Sequence, residues 1–117
     1  MDMVMDEQNG VLHVSVSGSM DFNATNELGQ RFTDIASEGR RMVIDLQNLE
    51  YLSSIGIRTL LSTARTAVAN GGKLVLLNPN DLVRTVLLTT GVDNVIPVVF
   101  DADEAQNAVR LPIKKSE

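Results

Sequence analysis

The alternation of apolar and polar residues changes period several times along this chain, and each change marks an element. Asn9-Gly10 separates MVMDEQ from VLHVSVSG, and this dipeptide readily takes the positive-φ positions of a tight turn, so the chain is predicted to open as a β-hairpin. In the second arm Leu12, Val14 and Val16 alternate with His13, Ser15 and Ser17, the pattern of a strand with one wet face, as at a sheet edge. After Gly18 the period becomes helical. Ala24, Leu28, Phe32, Ile35 and Ala36 fall on one stripe of a helix that begins near Asp21 or Asn23 and closes at Gly39. Residues 42–46, MVIDL, are short and nearly continuously apolar, as expected of a central strand covered on both faces.

A second helical stripe runs through Ile57, Leu60, Leu61, Ala64 and Val68 and stops at Asn70-Gly71-Gly72. The strand KLVLLN follows directly. Asn80 can cap a third helix with Asp81 in its first turn and Leu82, Val83, Val86 and Leu87 as its buried stripe, ended by Gly91. NVIPVVF reads as a last strand, placed at an edge or made irregular by Pro97, which has no N–H for a ladder. Asp101 and Glu104 form a capping arrangement before a short helix with Ala105, Ala108 and Val109 on its weak apolar face. The order of elements predicts one α/β domain over residues 1–117, its core about 5–110, with helices laid on a mostly parallel, mixed sheet and a short polar tail, LPIKKSE.

Composition narrows the chemistry. The chain has 117 residues, enough for one domain that buries roughly two-thirds of its extended surface and too few for two ordinary ones. It has no cysteine, which removes disulfides, thiolate metal sites and cysteine nucleophiles. Ten Lys and Arg against 15 Asp and Glu give a net charge of −5, contrary to a broad basic field for nucleic acid or an anionic membrane. Arg40-Arg41 and Lys114-Lys115 are isolated basic pairs expected at a solvated surface and in the tail. The first residues lack the basic and apolar stretches of a secretory leader, and the apolar runs are too short for a spanning helix. A cytoplasmic location is the expectation, with neither membrane nor nucleic acid as a direct partner.

Candidate chemistry is sparse. His13 has no neighbouring ligand set or nucleophile and is expected to be an exposed strand residue. Asp45 and Glu50 lack the third group that would make a metal site or an acid/base pair. Gly71-Gly72 fits neither phosphate-loop pattern and sits where a helix C-cap belongs. Leu88 is off the main stripe of the third helix and, together with Met20 and Ile55, is a candidate for an apolar contact spot for a partner. The informative stretch is 45–57, read as a loop from the central strand to the second helix. Ser53 and Ser54 stand just ahead of the helical stripe. Either hydroxyl can serve as an N-cap, and either can receive a phosphate whose charge of about −1.5 to −2 would meet free N–H groups and the positive helix end.

Tyr51-Leu52-Ser53-Ser54-Ile55-Gly56-Ile57 resembles the serine loop of the STAS-domain family, particularly bacterial anti-sigma factor antagonists, in which Asp-Ser-x-Gly-Leu/Ile is usual. Gly18-Ser19-Met20-Asp21 and Gly71-Gly72-Lys73-Leu74 resemble two further stretches of that family, and the likeness spans roughly residues 5 to 110. It places Ser54 at the phosphoacceptor position and Asp21, Ser53, Ile55, Gly56 and Ile57 at partner-facing ones. Ser53 stands where antagonists often have Asp, and Ile55 where a small residue is frequent. The resemblance implies a STAS-like fold and a non-enzymatic, cofactor-free protein. Its partner would be an anti-sigma factor with a GHKL-type serine kinase fold, which supplies the ATP. Phosphorylation of Ser54 would weaken docking, a metal-dependent serine phosphatase would reverse it, and sigma-dependent transcription would follow the cycle. A scaffold or regulatory module in a stressosome-like or transporter-associated system is the alternative.

Overall fold

The computed structural model describes residues 1–110, and the expected polar tail with Lys114-Lys115 lies outside the described residues. Five strands form one sheet in sequential order, β1 (Asp2–Gln8), β2 (Val11–Met20), β3 (Arg41–Leu52), β4 (Lys73–Leu77) and β5 (Val98–Val99). β1 and β2 are the antiparallel hairpin, turned by Asn9 at φ 52 and Gly10 at φ 80, with Gln8 paired to Val11. The remaining pairings are parallel, and β3 is the central strand. Between them run α1 (Phe22–Ser37), α2 (Ser54–Ala69) and α3 (Asp81–Thr89), and α4 (Ala102–Arg110) follows β5.

The sheet has two unequal aliphatic faces. Leu12, Val14 and Val16 of β2, Met42, Ile44 and Leu46 of β3 and Leu74 and Leu76 of β4 pack against Phe32 of α1, Leu60 of α2 and Val83 and Leu87 of α3. On the other face Val11, Val43, Val75, Leu77 and Val99 lie under the small Ala105 and Val109 of α4. Polar tethers supplement that thin layer: Lys73 Nζ donates to the Ala108 carbonyl at 2.8 Å, and an Arg41 guanidinium N–H donates to that of Val109.

The structure corrects several readings. β2 is flanked on both sides and is no edge; β1 takes that place. His13 is half-buried beneath α4, its Nε2 2.7 Å from Gln106 Oε1, because the face read as wet is the one α4 covers. Arg40 pairs with Glu7, so neither member of the Arg40-Arg41 pair is a purely solvated charge. Leu82 is 61% exposed and Val68 46% exposed. With Asn80 as the α3 cap, the inward positions fall on Val83 and Leu87, which turns Leu82 outward. The expected strand at NVIPVVF shrinks to Val98–Val99 after a 3₁₀ turn at Val92–Asn94. There the N–H groups of Val95 and Ile96 bond the Val92 carbonyl and Pro97 has none to give, so the ladder starts only at the Pro97 carbonyl, which accepts the Leu76 N–H at 2.9 Å.

The largest difference lies before α2. Residues 47–52, expected as loop, instead continue β3 to Leu52, paired with Ser17, Gly18, Ser19 and Met20 of β2. Register shifts between Ser15 and Ser17 and between Gly18 and Ser19 each place one extra residue in β3. These bulges put Leu46, Leu49 and Leu52 on the same buried face at intervals of three rather than two. Asp45 Oδ1 accepts the Gln47 N–H at 2.9 Å and anchors the first bulge. The connection to α2 is therefore Ser53 alone.

Candidate functional site

With so short a connection, the two serines take different positions. Ser53 is the N-cap of α2, its φ of −82 and ψ of 170 extended, and its Oγ accepts the Gly56 N–H at 3.2 Å. The same hydroxyl donates to the Met20 carbonyl, which also accepts the Ser53 N–H at 3.1 Å. Ser53 thus ties the start of α2 to the end of β2. Ser54 is the first helical residue, exposed and outside the cap. Of the first-turn donors, the Gly56 N–H is taken by Ser53 Oγ and the Ile57 N–H by the Ser53 carbonyl at 2.9 Å. The N–H groups of Ser54 and Ile55 open the helix at its positive end.

Gly56 explains how the helix comes so close. A Cβ there would lie 2.9 Å from Leu52 Cδ1, 3.1 Å from Met20 Cβ and 3.2 Å from the Met20 carbonyl oxygen. The Gly-aliphatic end of the motif is therefore a packing requirement: Gly56 seats the first turn, and Ile57 packs half-buried on the core. Ile55 faces α1 instead. It lines a shallow groove of about 330 Å³ between α1 and α2 together with Thr25, Gly29, Arg58, Thr59 and Ser62. Asp21 is exposed at the end of β2 and caps α1, its Oδ1 accepting the Ala24 N–H at 2.9 Å.

The two caps are neighbours because Met20 pairs with Leu52. Two of the chain's four aromatics adjoin them, Phe22 at 63% exposure and Tyr51 at 51%. The suggested cluster of Met20, Ile55 and Leu88 does not form. Met20 is fully buried, and Leu88 lines a separate hollow of about 210 Å³ with Arg84 and Phe100 under α3.

Sequence reasoning passed over Arg58. It follows Ser54 by four residues on α2, is exposed, and is paired with no acid among the described residues. The i, i+4 spacing was the available signal. Among the described residues no three His, Asp or Glu side chains gather as a metal site, and no helix is long and apolar enough to cross a membrane.

Comparison with known proteins follows the same lines. The STAS domain is the family whose sequence pattern matches residues 2–105. BtrV of Bordetella bronchiseptica, whose name carries a provisional assignment as an anti-sigma factor antagonist, is 28% identical over 116 residues, 98% of this chain and 100% of its own. The anti-sigma F factor antagonist of Paenibacillus polymyxa is 26% identical over 101 residues, 84% of this chain and 86% of that one. An anti-sigma factor antagonist structure from Mycobacterium paratuberculosis superimposes with a TM-score of 0.84 at 27% identity, covering 94% of each chain.

Proposed function

The chain belongs to the STAS-domain family, and from that premise we propose that it is an anti-sigma factor antagonist switched by phosphorylation of Ser54. Unmodified, it docks an anti-sigma factor through the surface formed by Asp21, Ser54 and Ile55 with the exposed Phe22 and Tyr51, and so frees the sigma factor. The partner has a GHKL-type serine kinase fold and binds ATP. In the switching step the Ser54 Oγ attacks the γ-phosphorus. A new Oγ–P bond forms, the bond to the ADP oxygen breaks, and the hydroxyl proton passes to a base on the partner. A metal-dependent serine phosphatase hydrolyses the ester to restore the hydroxyl. This chain contributes the acceptor and the contact surface, and the location of the cycle is the cytoplasm.

The observation that carries this reading is the division of labour between the serines. Ser53 holds the fold with its hydroxyl, so Ser54 is free to be modified without breaking a cap. An added phosphate places about −1.5 to −2 charge at a helix start, where it is tolerated, and in the middle of a contact surface, where its bulk and hydration oppose docking. Incubation with the cognate kinase and ATP is expected to add one phosphate to the wild-type chain and to lower its affinity for that partner. An equal affinity of the phosphorylated and unmodified chains would overturn the switch.

A further inference from the structure

We propose that Arg58 is an intramolecular receptor for the phosphate on Ser54, fixing it along α2 at the rim of the α1–α2 groove. The proposal rests on the reading of Ser54 as phosphoacceptor. Residues four apart on a helix lie on one face with Cβ atoms about 5–6 Å apart, well within the reach of an arginine. An anion on the N-terminal side of a cation is the favourable order for such a pair. Ser54 and Arg58 have that order, and both are exposed.

Arg58 is also available. Several other cations among the described residues are engaged: Arg40 with Glu7, Arg41 and Lys73 with carbonyls of α4, Arg110 with the Asn9 carbonyl, and Arg84 over the Phe100 ring at 4.9 Å. Arg58 meets no carboxylate among the described residues. Arg58 lines the groove wall together with Ile55 and Thr25. Thr25 is 2% exposed, and its hydroxyl is the buried side-chain oxygen without a partner among the described residues. A guanidinium offers a phosphate two parallel N–H donors, so capture fixes position as well as charge.

The consequence is specific to the switch. Capture takes out of play a cation that the unmodified chain presents beside Ser54, and it holds the phosphate in one place on the docking face. Phosphorylation then changes two groups at the surface for one covalent event.

The test uses full-length chain carrying phosphoserine installed at position 54 during translation, so it needs no kinase. A ³¹P NMR pH titration reads the second phosphate ionisation, ordinarily near pH 6. Arg58 favours the dianion and holds that ionisation low. Arg58→Gln is expected to raise it by roughly 0.15–0.4 unit, Arg58→Lys to recover part of the shift, and added salt to shrink the difference. Arg65→Gln, about three helical turns from Ser54, is expected to leave it unchanged. Identical titrations for wild type and Arg58→Gln would overturn the proposal, as would equal shifts in Arg58→Gln and Arg65→Gln. Amide spectra of the exposed-site variants report that each is folded. Failure of a kinase to label Ser54 would remove the proposed function and leave this titration unaffected, so the two can fail separately.

Discussion

The N-termini of α2 and α3 are built alike and charged differently. Each is capped by a side chain that accepts the N–H three residues on, Ser53 from Gly56 and Asn80 from Val83. Each cap also donates backward to a strand carbonyl, Ser53 to Met20 and Asn80 to Leu49 at 2.7 Å. α3, however, has Asp81 in its first turn, α1 is capped by Asp21, and α4 begins with Asp101, Asp103 and Glu104. Among the described helices α2 alone starts with no carboxylate at its cap or in its first turn. A carboxylate at such a position already occupies the favourable place for negative charge. At α2 no carboxylate holds that place, because the cap is the uncharged Ser53, and it stays open to the phosphate proposed for Ser54.

The sharpest way to break this comparison is at the acceptor. Ser54→Ala is expected to abolish phosphate incorporation from the cognate kinase, read by intact mass, while unfolding stability in urea stays within about 0.5 kcal/mol because the side chain is exposed and outside the cap. Full labelling of that variant would place the acceptor elsewhere. Next in size is Gly56→Ala. Its Cβ would press on Leu52 and on the Met20 backbone, and a loss of roughly 1–3 kcal/mol in urea unfolding is expected. An unchanged midpoint would mean that α2 is not seated as tightly as those contacts require.

The caps then separate structure from switching. Ser53→Ala and Asn80→Ala are each expected to cost about 1–2 kcal/mol, toward the upper end of the range for a lost N-cap, since each side chain also donates to a strand carbonyl, Ser53 to Met20 and Asn80 to Leu49. Both keep the Ser54 hydroxyl, so both are expected to accept phosphate. A Ser53→Ala chain as stable as wild type would show that the two caps are not equivalent holders of their helices.

The order of elements was legible because periodicity, Asn-Gly and the cap residues all report local structure. Asn80, Asp101 and Gly39 act where their residue types direct. What escaped was set by neighbours. Leu46, Leu49 and Leu52 occur every third residue, which fits no regular strand, and only pairing with β2 reveals the two bulges that make it one. His13 alternates onto a polar face, but α4, arriving from 93 residues later, covers it. The serine pair was ambiguous for a similar reason: either serine is a good helix cap by residue type. Which one does so is decided by the reach of β3 to Leu52 and by the Met20 carbonyl waiting for Ser53. Arg58, by contrast, was visible in spacing alone.

Ser53→Asp makes the start of α2 resemble its neighbours and is the smallest perturbation of the set. Asp is about as good a cap as Ser, and its charge adds roughly 0.3–1 kcal/mol near a helix start. It cannot donate to the Met20 carbonyl as the Ser53 hydroxyl does, which removes an interaction of about 0.5–1.5 kcal/mol. These oppose each other, so the unmodified variant is expected to lie within about 1 kcal/mol of wild type. The phosphorylated forms are where the difference should appear. In wild type, phosphate at Ser54 adds charge to an α2 start that has no carboxylate, and phosphorylation is expected to raise the melting temperature. In the Ser53→Asp variant it meets a carboxylate one residue away, so the rise shrinks or reverses at low salt and recovers as salt screens the repulsion. Thermal melts of the four species at two ionic strengths measure this directly, and an equal rise in both backgrounds would show that the uncharged start of α2 has no bearing on how it carries phosphate.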